Sequence, residues 1–230
     1  MDRTTFLQRV REAAHAGQAY RVTTRPIPPG TGYVGVVGDL CDHLAAEVNV
    51  VGGQAVVVDD LATARLELES LLKQYNVRTA LCWQHELLDR LGLGELLAAR
   101  QIQQHTHASL EAESRAEQRS QVLAADIGIT SCQVAIAETG TLLMSSQPGR
   151  ERMASLVPPA HVAVVEAAQV VPDLFDAFAL LHQNGVQHLP SNLVLITGPS
   201  KTGDIELQLT TGVHGPKHWH VIVVRTPAIS

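Results

Sequence analysis

Three stretches of this sequence combine residue types and spacings that suit chemistry. In Ala135-Ile136-Ala137-Glu138-Thr139-Gly140-Thr141-Leu142 a single acid follows an apolar run and precedes a small-residue turn. That setting lets a carboxylate face a cleft while its backbone stays pinned, so Glu138 is a catalytic candidate, with Thr139, Gly140 and Thr141 as substrate-binding candidates beside it. The competing reading is that Glu138 accepts backbone hydrogen bonds and fixes a hairpin, since buried charges are paired. The second stretch, Gly198-Pro199-Ser200-Lys201-Thr202-Gly203, offers backbone amides, two hydroxyls and one ammonium, a set that can cradle a carboxylate or phosphate. It is no P-loop, because Asp204-Ile205 follows where that loop needs Lys and Ser or Thr. The same residues also suit a strand-to-turn connection in which Ser200, Thr202 or Asp204 caps the next element. In the third stretch Asp204 and Glu206 would share a face if extended, and either could form an acid–base pair with His214 in its Gly-flanked loop. Solvated charges beside a turn are the plainer alternative. Arg150 and Arg152, after Pro148-Gly149, are the second candidate anion clamp, because guanidinium binds carboxylate bidentately. A solvated loop is the rival reading there.

The histidines invite a metal reading: His105 and His107 are two apart, and His218 and His220 would share one face of a strand near His214. Neither pair has a cysteine or a third ligand at zinc spacing, so no metal is assigned and imidazoles satisfied by hydrogen bonds are the better reading.

These residues need a frame, and the apolar pattern supplies one. Phe6, Leu7, Val10, Ala13 and Ala14 predict a surface helix over 2–16, stopped by Gly17. Arg25 to Gly32 is punctuated by three prolines and two glycines and reads as a linker, which sets an N-terminal helix and Pro-rich linker (1–30) apart from an α/β domain (31–230). Within the domain a helix near 35–47, a strand at 55–58, a helix at 61–75, a strand at 77–83 and a helix from about 85 alternate, and alternation implies parallel pairing. Residues 95–121, rich in Gln, Glu, Arg and Ala, read as one or two solvated helices around a weak loop. Cys132–Ala137 and Thr141–Ser145 read as a hairpin turning at Gly140. His161–Val165, Leu193–Thr197 and Trp219–Val224 are further strands, and Val170, Val171, Leu174, Ala177, Phe178 and Leu181 fall on one helical stripe over 170–182. The ligand crevice of an open parallel sheet lies beyond the carboxyl ends of its strands, so Gly198–Gly203 and Glu138 are expected to meet in one cleft there.

Bulk properties narrow the function classes. A net charge of -6, with 17 basic residues against 23 acidic, gives no basic field for a phosphate backbone, so no nucleic-acid partner is expected. No apolar run approaches the roughly 20 residues of a bilayer span and no signal-peptide layout is seen, so a cytoplasmic location is expected. Cys41, Cys82 and Cys132 are too few and too far apart for a disulfide framework or an iron–sulfur ligand set, and no Gly-x-Gly-x-x-Gly dinucleotide turn occurs. No cofactor is therefore expected on this chain.

Five blocks in the C-terminal half carry a resemblance: Ala125-Asp126-Ile127-Gly128-Ile129-Thr130, the Glu138 block, Leu156-Val157-Pro158-Pro159-Ala160-His161, Ile196-Thr197-Gly198 through Glu206, and Gly212-Val213-His214-Gly215-Pro216. In this order and spacing they resemble the LutC/YkgG family of LUD domains, lactate-utilization protein C. Gly203 and Ser131-Cys132 depart from the residues usual in that family, and neither departure touches a charged position. The resemblance implies an α/β fold, a three-layer parallel sheet with helices on both faces, similar to the NagB/RpiA/CoA-transferase-like superfamily. It implies an accessory subunit in the oxidation of L-lactate to pyruvate, acting with lactate-utilization partner proteins of which at least one carries iron–sulfur clusters, and binding a small organic anion near Glu138 and the 198–206 loop. The similar CoA-transferases use a Glu before a small-residue turn as nucleophile, so a transferase-like or isomerase-like enzyme built on Glu138 is one alternative. A lactate-sensing regulatory binder is another. Whether the isolated chain is an enzyme, and whether it forms a homo-oligomer, stay open.

Overall fold

The computed structural model describes residues 2–17, 35–183, 190, 192–205 and 208–225, the backbone alone for 203–205 and 208–210. The chain divides into two compact units, Met1–Val34 and Gly35–Ser230. In the first, helix α1 (Arg3–Gly17) follows the expected helix, with no buried residue. The Asp2 side chain starts it by accepting the Thr4 and Thr5 amides at 2.9 and 3.0 Å. The Pro-rich linker of 25–32 lies outside the described residues.

In the second unit the chain runs through α2 (Leu40–Val50), β1 (Gln54–Val58), α3 (Leu61–Gln74), β2 (Thr79–Cys82), α4 (Glu86–Arg90), α5 (Leu93–Ala99) and β3 (Gln103–His105). It continues through α6 (His107–Glu111), α7 (Arg115–Leu123), β4 (Ile127–Thr130), β5 (Val134–Ile136), β6 (Thr141–Ser145), α8 (Met153–Leu156) and β7 (Ala160–Glu166). The last elements are β8 (Val170–Val171), α9 (Leu174–Gln183), β9 (Leu193–Ile196), β10 (Lys201–Ile205), β11 (Gln208–Thr211) and β12 (His218–Val224).

Six strands form one parallel sheet in the order β1-β12-β7-β4-β2-β3. Its inner strands β7 and β12 are buried along almost their whole length and mostly apolar, as strands covered from two sides are. Helices flank the sheet. Tyr75, at the end of α3, stacks on His218 and His220 and so lies on one face, where right-handed crossovers also place α4 and α5. Trp219 and His161 look to the opposite face, where α2, α8 and a second sheet of order β8-β5-β6-β9 lie. This second sheet pairs β5 with β6 and β6 with β9 antiparallel, so the expected hairpin is present but belongs to an added layer. Its outer face packs Val134, Ile136 and Leu143 against Ala177 and Leu181 of α9, and its inner face joins the main core. A separate two-stranded ribbon, β10 with β11, follows β9 in the chain.

The fold is the α/β class expected from the pattern, with helices on both faces of a parallel sheet. Three local expectations need correction. Val170 and Val171 form β8, paired with Ala135 and Ile136, and the helix starts four residues later because Asp173 caps it, its carboxylate accepting the Asp176 amide at 2.9 Å. The 95–121 stretch holds, besides α6 and α7, the edge strand β3, whose pairing with β2 outweighs its polar Gln-Gln-His sequence. The 198–206 segment is a loop only through Ser200, since Lys201 begins β10.

Candidate functional site

The expected residues separate into three places. Gly198, Pro199 and Ser200 line a cavity of about 220 Å³ with His214, Gly215 and Pro216. Its other wall includes Ser155, Leu156, His161 and Trp219, which precede or open β7 and β12. The cavity therefore lies toward the amino ends of these main-sheet strands. The loop does follow the carboxyl end of β9, as expected, but β9 runs in the second sheet, so the cavity is not the crevice at the carboxyl ends of the parallel sheet.

The loop itself is held by its own polar groups. The Ser200 amide donates to the Pro216 carbonyl at 2.9 Å, and the Ser200 carbonyl accepts from the Gly212 amide at 2.9 Å, so these groups hold the loop closed. Lys201 Nζ donates to the Val51 carbonyl at 2.7 Å, placing its charge at the C-terminal end of α2, where the helix dipole favours a cation. The ammonium thus anchors the loop to α2, and Lys201 does not line the cavity. Thr202 pairs with Thr210 in the ribbon, Asp204 lies on β10 with only its backbone described, and Glu206 lies outside the described residues.

Glu138 sits in a short 3-10 turn over Ala137–Thr139 and is not among the cavity's lining residues. Its amide donates to the Pro172 carbonyl at 3.1 Å. A line of hydroxyls joins the two places: Thr139 Oγ1 lies 2.7 Å from Thr141 Oγ1, which lies 2.7 Å from Thr197 Oγ1. Gly140, at φ +61°, closes the turn against α2, where a Cβ would fall 2.5 Å from the Val48 nitrogen.

Arg150 stands apart, beside the chain that leaves the carboxyl end of β2. The Gly149 carbonyl accepts from the Gln84 amide at 2.8 Å, and the Gln147 side-chain amide, turned so that its oxygen accepts, meets the Arg150 Nε and Nη1 at 3.0 Å each. Burial pulls the Arg150 pKa down, and no carboxylate among the described residues pairs with it within ion-pair distance. Arg152 opens α8 and offers its carbonyl to the Ser155 hydroxyl at 3.0 Å.

Two residues of the cavity wall went unseen in the sequence as site residues. His161 is 0% exposed; its Nε2 lies 2.8 Å from Thr130 Oγ1, and its Nδ1 has no partner. Trp219 is 2% exposed, and its Nε1 is likewise unpartnered. Burial, with a lesser push from His220, drops the His161 pKa to about 3, so the ring is neutral near pH 7. The signal was the register: Trp219 pairs with His161, which pairs with Gly128, a row across strands that are not neighbours in sequence. His220 turns to the other face and lies 2.7 Å from the Tyr75 hydroxyl. No three His, Cys, Asp or Glu among the described residues are grouped to hold a metal ion. The cysteines are buried singly, and burial raises the Cys82 thiol to about 12 and Cys132 further, so neither is a nucleophile at neutral pH.

The fold is an α/β domain, a parallel sheet backed by a second sheet, with the Glu138 turn and the Gly198 loop packed on α2, and its sequence is that of a LUD domain. The chain belongs to that family, whose sequence model matches residues 41–224. Similar proteins include lactate utilization protein C of Halalkalibacterium halodurans, 30% identical over 96% of this chain and 97% of that one. The protein of the same name from a Geobacillus species is 29% identical over 97% of this chain and 95% of its own. A DUF162 family protein from Deinococcus radiodurans, known from its crystal structure, shares the fold at a TM-score of 0.59 and 20% identity, covering 82% of this chain and 99% of that one. No described helix is long and apolar enough to cross a membrane.

Proposed function

We propose that this chain serves lactate utilization as an accessory subunit that binds a small organic anion in the Gly198–Ser200 cavity. Partner proteins, at least one carrying iron–sulfur clusters, carry out the redox step from L-lactate to pyruvate. The observation behind this reading is likeness over almost the full length to a protein named lactate utilization protein C, 30% identical across 97% of it. The cavity's chemistry supports it. Ser155, Ser200 and His214 offer polar groups around a space of about 220 Å³, small enough for a short-chain acid. Trp219 Nε1 and His161 Nδ1 stand in its wall without partners and sealed from solvent, each at a cost of about 1–3 kcal/mol, and a ligand oxygen meets them once the wall shifts to open them.

The test is growth and binding together. A strain lacking this chain is expected to stop growing on L-lactate while growing normally on another carbon source, and the restored gene rescues it. Trp219→Phe keeps the ring and removes the N–H, so calorimetry should find L-lactate or pyruvate bound about tenfold more weakly, the loss of one buried hydrogen bond. Undisturbed growth of the deletion strain on L-lactate would sink the reading.

A further inference from the structure

A second cavity, of about 400 Å³, lies across α8 from the first, and its content is different. Its lining is apolar in Leu81, Cys82, Leu110, Val122, Met153 and Ala154. Among them stands His105, the last residue of β3, 5% exposed. The His105 ring makes no hydrogen bond or ion pair to any described residue, it lines the cavity, and its nitrogens keep some exposed surface. An imidazole this deep without a partner is uncommon, because buried polar groups are almost always hydrogen-bonded. The rim decides the charge of a ligand. His107 Nδ1 lies 2.7 Å from the Glu151 carboxylate and its Nε2 lies 3.0 Å from Glu111, so one imidazole spans two acids there. No Lys or Arg lines the space. An anion would meet two carboxylates, with the imidazole that faces them, His107, already shared between the two, whereas an uncharged body would bury apolar surface.

We infer that this cavity binds a neutral, mostly apolar small molecule carrying one hydroxyl or carbonyl group, held by a hydrogen bond to the His105 imidazole. The volume is within the range of small-molecule sites, about 300–1,000 Å³. Burial lowers the His105 pKa, so the ring is neutral near pH 7 and can donate from one nitrogen or accept at the other, which suits both ligand groups. Binding is non-covalent, since the Cys82 thiol beside it, at about 12, stays protonated. The inference is independent of the lactate reading, because it concerns another cavity and a neutral ligand in place of an anion.

The test uses naphthol as a neutral probe and L-lactate as the anionic control, each titrated into the full chain with fluorescence and calorimetric readouts. Naphthol should saturate a single site, and the side-chain nitrogen resonances of His105 should move with occupancy. His105→Phe should weaken binding about tenfold, His105→Gln should keep most of it, and Leu110→Trp, which fills the space, should abolish it. Absence of saturable naphthol binding to the wild-type chain would overturn the inference even if every variant failed to fold. So would displacement of naphthol by millimolar L-lactate, or equal affinity in wild type and a folded His105→Phe.

Discussion

Gly128 has no side chain, and the space a methyl group would take is filled by backbone: an ideal Cβ there lies 1.6 Å from the Ala154 carbonyl oxygen. Backbone cannot rotate away as a long side chain can, so Gly128→Ala should displace α8. The expected loss is about 1–3 kcal/mol, the usual cost of overpacking, or about 2–4 °C in Tm for each kcal/mol in a domain of this size. A thermal melt matching wild type would contradict it. For Glu138 the informative change is Glu138→Gln, which keeps size and removes charge. Loss of growth on L-lactate with an unchanged melting curve would give the carboxylate a functional role. A large drop in Tm would make it the anchor of the turn it shares with Pro172. We expect the first outcome, because the turn is already pinned by its own amide and by Gly140 on α2.

At the scale of elements, α3 and β12 meet through Tyr75 and His220, and their contact should be sensitive to acid. The folded pKa of His220 is about 4 and that of His161 about 3, both depressed chiefly by burial from the ordinary 6.5. Below pH 6.5 the unfolded chain takes up protons that the folded chain refuses, so stability is complete above that pH and falls as pH drops toward 4 and 3. Each such proton weighs about 1.4 kcal/mol per pH unit. Tm should therefore decline steadily from pH 6.5 to 4, and His220→Gln, which can still meet the Tyr75 hydroxyl, should flatten part of the slope. A Tm constant across that window would refute the assignment. Much of this frame was legible: β1, β7, β9 and β12 are apolar runs, and α2 and α3 have regular spacing after acidic caps at Asp39 and Asp60. What stayed hidden was set by pairing. β3 is polar and three residues long, β8 imitates the first turn of the helix after it, and the ribbon of β10 and β11 has no apolar period. The cavity walls were hidden for the same reason, since no local pattern says that His161 will stand beside Trp219 or His105 beside Leu81.

Seen as a whole molecule, the main sheet places its last strand in an inner position. β12 lies between β1 and β7, with Gln54 beside His220 and Val162 beside the same residue on the other side. Arg225 then ties the end of that strand to α2 through Asp39 and Asp42. A ribosome extending the chain at roughly 5–20 residues per second makes β1 long before its neighbour exists. For those seconds β1 and β7 have bare edges of the kind that pair with other chains. Contacts so distant in sequence also slow the search for the native state. A chain shortened to end at Thr211, before β12, should therefore be recovered in the insoluble fraction, and a soluble, cooperatively melting product would disprove this. Synthesis order and spatial order are opposed in this protein, so its core is completed only after residue 224 has left the exit tunnel, and a holding chaperone has its longest opportunity before that moment.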